Sequence, residues 1–299
     1  MIKKMPPYFL EQLLEFNRLG LIPGPMESSE IFAKRAEYCL HLKDNLSKEI
    51  KEQLSVDEND NPKILDPIIQ QLTNFYDLSP TWIPLFFSNY RLPFWHGGCA
   101  WIFQMTENNP IGSLIQLRRS LKYSSHYLGI YNRNELLIHE LVHVGRMAFQ
   151  EPHYEELLAY QTAHSPFRRY FGPIVQSSSE SMWFVLILFL LFVFEVFLIT
   201  TKLSILHSFA WTLFLIPIGL IAYALLRLRK RQKCFKACLN NLKNCLQEES
   251  KARAVLYRLT DKEIEAFSKL SAKEIKEYCK SQSEKELRWQ MIEMIYFNT

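Results

Sequence analysis

The chain has no Cys-x-x-Cys clamp and no cysteine spacing that closes a local disulfide framework. Its six cysteines, Cys39, Cys99, Cys234, Cys238, Cys245 and Cys279, are scattered, and the run from 234 to 245 follows helix-like intervals. That pattern reads as reduced thiols in a cytosolic setting and argues against a stapled secreted module. Net charge is also small: +4 over 299 residues gives no electrostatic reason to expect nucleic acid. No basic–aromatic pattern of the nucleic-acid-binding kind compensates. No signal peptide is evident, because Pro6, Pro7 and Glu11 interrupt any apolar run after Lys3 and Lys4. The acidic segment at 57–62 lacks the central Gly and closing Glu of a calcium loop, so it reads as a solvated turn.

What is present is concentrated at residues 132–163. Within them lies His139-Glu140-Leu141-Val142-His143, set among Leu136, Leu137, Ile138, Val144, Met147 and Phe149. On a helix, residues four apart share a face, one turn above the other. His139 and His143 therefore aim two imidazoles at one place, with Glu140 beside them. Two nitrogen ligands and a carboxylate able to take a proton from water are what a Zn²⁺ site needs. So apolar a helix is mostly buried, and buried polar groups need partners. A second acidic segment, Glu155-Glu156-Leu157-Leu158-Ala159-Tyr160, follows closely.

Over about thirty residues the sequence resembles the zincin metallopeptidases, and among them the gluzincins. In that group two histidines of a His-Glu-x-x-His motif and a Glu from a following helix hold zinc, and the motif's own Glu is the general base. The second helix often reads Glu-x-x-Ala followed by an acidic or aromatic residue. Glu156-Leu157-Leu158-Ala159-Tyr160 stands in that register, so the resemblance gives Glu156 the role of third ligand. Glu155 ranks second, because it puts Leu158 at the small-residue position. His153 is a rival inside the same link. Twelve residues separate His143 from Glu156, a tight connection beside better-known members. The metzincin pattern does not fit: Arg146 and Phe149 stand where it needs Gly and His.

The rest of the chain supplies a setting. Apolar periodicity predicts a helix over 8–18 stopped by Gly20, a longer one from Ser28 to about residue 54, and another over 64–77 ended by Ser79-Pro80. Residues 81–131 turn aromatic and β-branched. Strands are predicted at 99–105, 114–117 and 127–131, with a turn at Asn108-Asn109-Pro110 and Gly112. The resemblance implies that one edge strand of this small sheet holds an extended substrate by backbone pairing. His96-Gly97-Gly98 reads as a turn carrying a surface histidine. Asn132 or Asn134 caps the motif helix, which is expected to run to about Phe149; Pro152 breaks it, and the next helix spans about 154–163.

Two apolar runs follow, 182–200 and 203–226, each long enough to cross a bilayer's ~30 Å hydrocarbon core as a helix. Only Thr201-Lys202 and their neighbours join them, which forces an antiparallel hairpin. Arg227, Arg229, Lys230, Arg231 and Lys233 after the second run, with Arg168 and Arg169 before the first, place the flanks in the cytoplasm. Glu195 inside the first run needs a partner or neutrality, and His207 on the return run is one candidate. Beyond the hairpin, Phe235, Cys238, Leu239, Leu242, Cys245 and Leu246 form a helical stripe expected to pack within the chain. Thr260 with Glu263, Ser271 with Glu274, and Ser283 with Glu286 look like helix starts.

The sequence thus predicts a mainly helical α+β protein: N-terminal helices (1–80), a zincin-like metal-binding domain with a small sheet (81–165), a linker (166–181), a two-helix transmembrane hairpin (182–226) and a helical cytoplasmic region (227–299). The resemblance implies a membrane-anchored zinc metallopeptidase acting on a peptide or protein substrate. Zn²⁺ would be held by His139, His143 and Glu156, and Glu140 would be the general base. Oxyanion donors near in sequence are Tyr160, Arg146 and His153, with Arg146 read by default as a structural ion-pair partner. Both termini and the catalytic domain would be cytoplasmic, with self-association open to the hairpin or the C-terminal helices. The rival expectation is a membrane adaptor with a structural or vestigial metal site.

Overall fold

The computed structural model describes residues 7–46, 62–104, 110–201 and 212–298. Among the described residues the protein is mainly helical, as its periodicity predicts, with two small sheets in place of the one expected. Helix α1 (Pro7–Arg18) stops at Gly20, whose φ of 72° is open to glycine at little cost. Helix α2 (Ser29–Leu40) is capped by Ser28 Oγ, which accepts from Ile31 N at 3.3 Å. It breaks at His41 before a single turn, α3 (Leu42–Asn45), instead of running on unbroken. The expected remainder of that helix, the polar turn at 57–61 and the turn at Asn108-Asn109 lie outside the described residues. Helix α4 (Pro62–Tyr76) completes the N-terminal set.

Three strands follow: β1 (Leu85–Phe87), β2 (Gly98–Phe103) and β3 (Gly112–Leu117). Their order is β1-β3-β2, with β1 parallel and β2 antiparallel to the central β3. β3 is buried along its whole length, whereas β2 is an edge strand with Trp101 and Ile102 exposed. β1 is too short to announce itself by alternation. The strand expected over 127–131 is a hairpin instead. β4 (His126–Tyr127) and β5 (Tyr131–Asn132) pair across a turn in which Leu128 and Gly129 both take positive φ.

Helix α5 (Arg133–Gly145) carries the motif and packs on β2, β3 and α4. Asn132 Oδ1 caps it, accepting from Asn134 N and Glu135 N. It ends at Gly145, short of the expected Phe149. A Cβ at Gly145 would lie 2.3 Å from the Tyr257 hydroxyl, which donates to Val142 O at 2.6 Å, so the close approach of the two elements needs glycine. Then come α6 (Glu155–Tyr160), α7 (Pro166–Phe171), a 3₁₀ turn at Gly172–Ile174, α8 (Ser178–Thr201) and α9 (Leu215–Leu246). The expected linker at 166–181 is thus largely helical.

Helices α10 (Glu249–Tyr257), α11 (Asp261–Phe267) and α12 (Ala272–Ser283) pack on the second half of α9, and α13 (Leu287–Ile292) packs on α12 and α1. Phe235, Cys238, Leu242 and Cys245 of α9 are buried against them, so the stripe packs within the chain. Capping boxes form at Thr260/Glu263 and Ser271/Glu274. The third expected start does not form: Ser283 ends α12, and Glu286 Oε1 is taken by Arg288 Nε at 2.9 Å.

One apolar core runs from Leu13 to Tyr296. Buried Arg258 ties its parts together, donating to Asn17 Oδ1 (2.7 Å), Tyr76 O (2.9 Å) and Asp77 O (3.2 Å). The stretch Ser179–Thr201 stands apart: among the described residues it is the one helix long and apolar enough to cross a membrane, and little of it is buried. The first three turns of α9, through Leu226, are also apolar and mostly exposed. His207, the expected partner of Glu195, and Lys202 at the expected hairpin tip lie outside the described residues.

Candidate metal centre

His139 and His143 project from the same face of α5, and their Nε2 atoms lie 3.2 Å apart. Glu156, at the second position of α6, completes a triangle: Oε2 is 3.5 Å from His139 Nε2 and Oε1 is 3.6 Å from His143 Nε2. Ligands about 2.05 Å from a tetrahedral Zn²⁺ would be about 3.3 Å from one another; the His–His distance and each histidine's distance to its nearer Glu156 oxygen are of that size, with one carboxylate oxygen turned to each ring. The donor set, two imidazoles and a carboxylate, suits zinc and leaves a fourth position. All three side chains are partly buried.

Glu155 belongs to the next layer out. Its Oε1 lies 2.9 Å from His143 Nδ1 and so directs Nε2 of that ring toward the triangle. A carboxylate behind a ligating imidazole fixes its orientation and raises its basicity. Between the two acidic neighbours, then, Glu156 faces the histidines from the front and Glu155 holds one from behind. His153 stands aside: its N–H donates to Asp261 Oδ2 at 2.9 Å, and its ring stacks edge-on with Tyr154.

Electrostatics follow from this crowding. Burial alone would lower the pKa of His143. The hydrogen bond that His143 donates to Glu155 and the charges of Glu156, Glu155 and Glu140 outweigh it and raise the pKa to about 9. Burial pushes the Glu156 carboxyl up. Its hydrogen bond to His139 and the charges of His143, His139 and Arg231 prevail and hold it below the usual range.

Glu140 points to the edge strand. Its Oε2 accepts from Ala100 N at 2.7 Å. Ala100 lies on β2, whose ladder to β3 is on its other side. The edge strand that the sequence left unassigned and that borders the motif is therefore β2. An open cleft runs beside it, lined by His139, Glu140, Tyr160, Glu135 and Arg168, with His96, Gly97 and Gly98 forming one wall. His96 sits in a turn as expected, yet it is half-buried and faces the cleft. Side chains at Gly97 or Gly98 would strike Leu136 or Leu117, which brings this wall close to α5. Tyr160 stacks edge-on against His139, ring centres 4.7 Å apart. Burial raises its phenol pKa, so it stays a hydrogen-bond donor. Arg146 is turned away. It donates to Tyr257 O and Leu259 O and lies over the Phe149 ring, a structural role met by carbonyls.

The tight link between α5 and α6 is braced from the C-terminal region. Asp261 accepts from His153 N and from Tyr154 N, Asp261 N donates to Glu151 Oε2 at 2.6 Å, and Arg231 Nη1 donates to His153 O at 2.8 Å. No local motif marks Asp261 or Arg231 as site residues, because their contacts cross 78–110 positions of sequence. Among families of known proteins, curated sequences and solved structures, nothing matches this chain.

Proposed function

We propose that the chain is a membrane-anchored, zinc-dependent metallopeptidase whose zincin-like cleft hydrolyses peptide bonds on the cytoplasmic side. One observation carries the reading: His139, His143 and Glu156 converge with zinc-like edges while Glu140 lies beside them at the cleft. These three side chains would hold the ion. Zinc, when bound, supplies a Lewis acid that polarises a carbonyl and acidifies a water.

The chain's own groups do the rest. A substrate segment laid along β2 pairs with the outer-edge backbone groups other than Ala100 N, which Glu140 holds, and brings one carbonyl over the triangle. Glu140 is anchored through Oε2 to Ala100 N, and its Oε1 takes the proton of the attacking water and passes it to the leaving amine. The Tyr160 hydroxyl donates to the developing oxyanion. Glu155 holds the His143 ring against rotation as charge shifts.

The membrane part of the reading rests on the apolar, little-buried α8 and on the exposed apolar start of α9. These would form the two-span hairpin with the basic residues from Arg227 onward in the cytoplasm. A second reading is favoured by the Glu140–Ala100 bond, which gives Glu140 a structural task and suits a non-catalytic membrane adaptor with a structural metal site.

The Glu140→Gln variant separates the two. In the enzyme, Gln keeps a side-chain oxygen for Ala100 N, so zinc measured by elemental analysis stays near one per chain while peptide hydrolysis falls by on the order of 10²-fold or more. Unchanged hydrolysis by Glu140→Gln, or wild-type protein that carries zinc and cleaves nothing in a peptide library, would leave the adaptor.

A further inference from the structure

Three hydrogen bonds set the height of the cleft relative to the apolar segment. Helix α9 changes character at Leu226: residues before it are apolar and mostly exposed, and Arg227, Arg229, Lys230, Arg231 and Lys233 follow. Just past this switch, Arg227 Nη2 donates to Ile174 O (3.2 Å), Arg231 Nη2 to Pro173 O (2.8 Å) and Gln232 Nε2 to Tyr170 O (2.6 Å). Leu226 to Gln232 is six residues, roughly 9 Å along a helix axis. The segment 170–174 is therefore clamped within two turns of Leu226, where the exposed apolar run ends. Glu180 pairs with Arg227 at 2.6 Å at the same level, and Trp183 and Tyr223 stand exposed just beyond, where amphipathic aromatics meet headgroups. Arg168, which lines the cleft, lies on α7, the helix that this clamp holds.

The rim of the cleft is apolar on its outside. Phe94, Trp95, Leu128, Ile130 and Phe167 are each more than half exposed. They come from three separate segments that touch: the Tyr127 hydroxyl donates to Phe94 O at 2.6 Å, and Arg168 Nη1 donates to Ile130 O at 3.4 Å. His96, Tyr131 and Arg168, adjacent to these tips in sequence, line the cleft. Basic side chains lie among them: Arg91, Arg119 and Arg169 are exposed beside the same segments. Large apolar side chains exposed on neighbouring segments, with cations beside them, are unusual on a soluble face and suit an anionic lipid surface.

We infer that this rim docks on the bilayer, so that the cleft opens at the lipid surface. The occupant is the headgroup layer of the membrane that α8 enters, because the clamp makes the rim continuous with that entry point. The inference rests on the membrane reading of α8. It adds that the catalytic region lies down on the lipid instead of standing off it.

The test is nitroxide depth measurement on the full chain in nanodiscs of three parts phosphatidylcholine to one part phosphatidylglycerol. Single cysteines are introduced as Leu128→Cys and Phe167→Cys on the rim, Phe192→Cys on α8, and Met26→Cys as an exposed apolar position tied to Glu286 instead of to the cleft. Labelled parent protein supplies the background from native thiols. Labels at 128, 167 and 192 should collide several-fold more with oxygen than with an aqueous nickel chelate, relative to the label at 26. If 192 reports lipid and either rim label reports water, the docking inference fails and the anchor stands. If 192 itself reports water, the anchor reading fails and the docking inference falls with it.

Discussion

Glu155 illustrates how much one acidic neighbour changes in this centre. It stands outside the His139–His143–Glu156 triangle, yet through His143 Nδ1 it fixes the face that this ring presents. Replacing it by Gln removes the charge and keeps the shape. Zinc affinity, read by competition with a chelating dye, should fall 10–100-fold, with zinc still binding at saturation. Unaltered affinity would mean that His143 is oriented by something else. The metal-free protein should also carry a characteristic pH response. A group whose folded pKa is raised stabilises the fold below its unfolded value and loses that contribution as pH rises through the folded one. His143 therefore predicts that the Tm of zinc-stripped protein falls as pH climbs from about 6.5 to about 9. Glu156, held low, contributes above its usual 4.5, and that part is lost as acid protonates it. Because zinc needs the neutral imidazole, affinity should rise with pH until about 9. His143→Gln should flatten the alkaline limb of the melting profile; a slope identical to wild type would locate the titration elsewhere.

At the scale of elements, α5 and α6 were legible because their chemistry is local. The four-residue spacing of His139 and His143 is a helix face, and the resemblance put Glu156 in the facing position. The division of labour between Glu155 and Glu156 was not legible, since a one-residue shift on so short a helix turns on where the preceding loop is pinned. That pinning comes from Asp261, more than a hundred positions away. Asp261→Ala should free the 151–154 loop. About tenfold weaker zinc binding is expected, together with a lower Tm, although residue 261 touches no ligand. A Tm loss with wild-type affinity would reduce Asp261 to a stabilising cap. Other departures have the same origin. β1 exists because β3 offers an edge, the 127–131 segment turns because Leu128 and Gly129 take positive φ, and Glu286 is lost as a cap because Arg288 competes for it. His96 looked like an ordinary turn residue because only tertiary packing brings its turn against α5.

For the whole molecule, the proposed topology makes a simple prediction. Epitope tags at the two termini should be accessible from the cytoplasmic side only, and a tag inserted at position 202 from the opposite side only. Termini reached from the far side would invert the assignment. Within this arrangement α9 has a property that neither of its halves has alone. It is one uninterrupted helix of 32 residues, roughly 48 Å long, with Pro217 in its first turn where the helix tolerates it. Its first turns lie in the apolar segment, and its later ones are packed among α10, α11 and α12 and hold the α5–α6 loop through Arg231. A rod with no joint acts as a lever. If a thinner or thicker bilayer changes its tilt, the far arm must move the packed helices with it, and the nearest thing they carry is the loop that aims Glu155 and Glu156. On the proposed function, lipid thickness would then be felt at His139, His143 and Glu156 as a change in their spacing, and a bilayer would set the tension of the site.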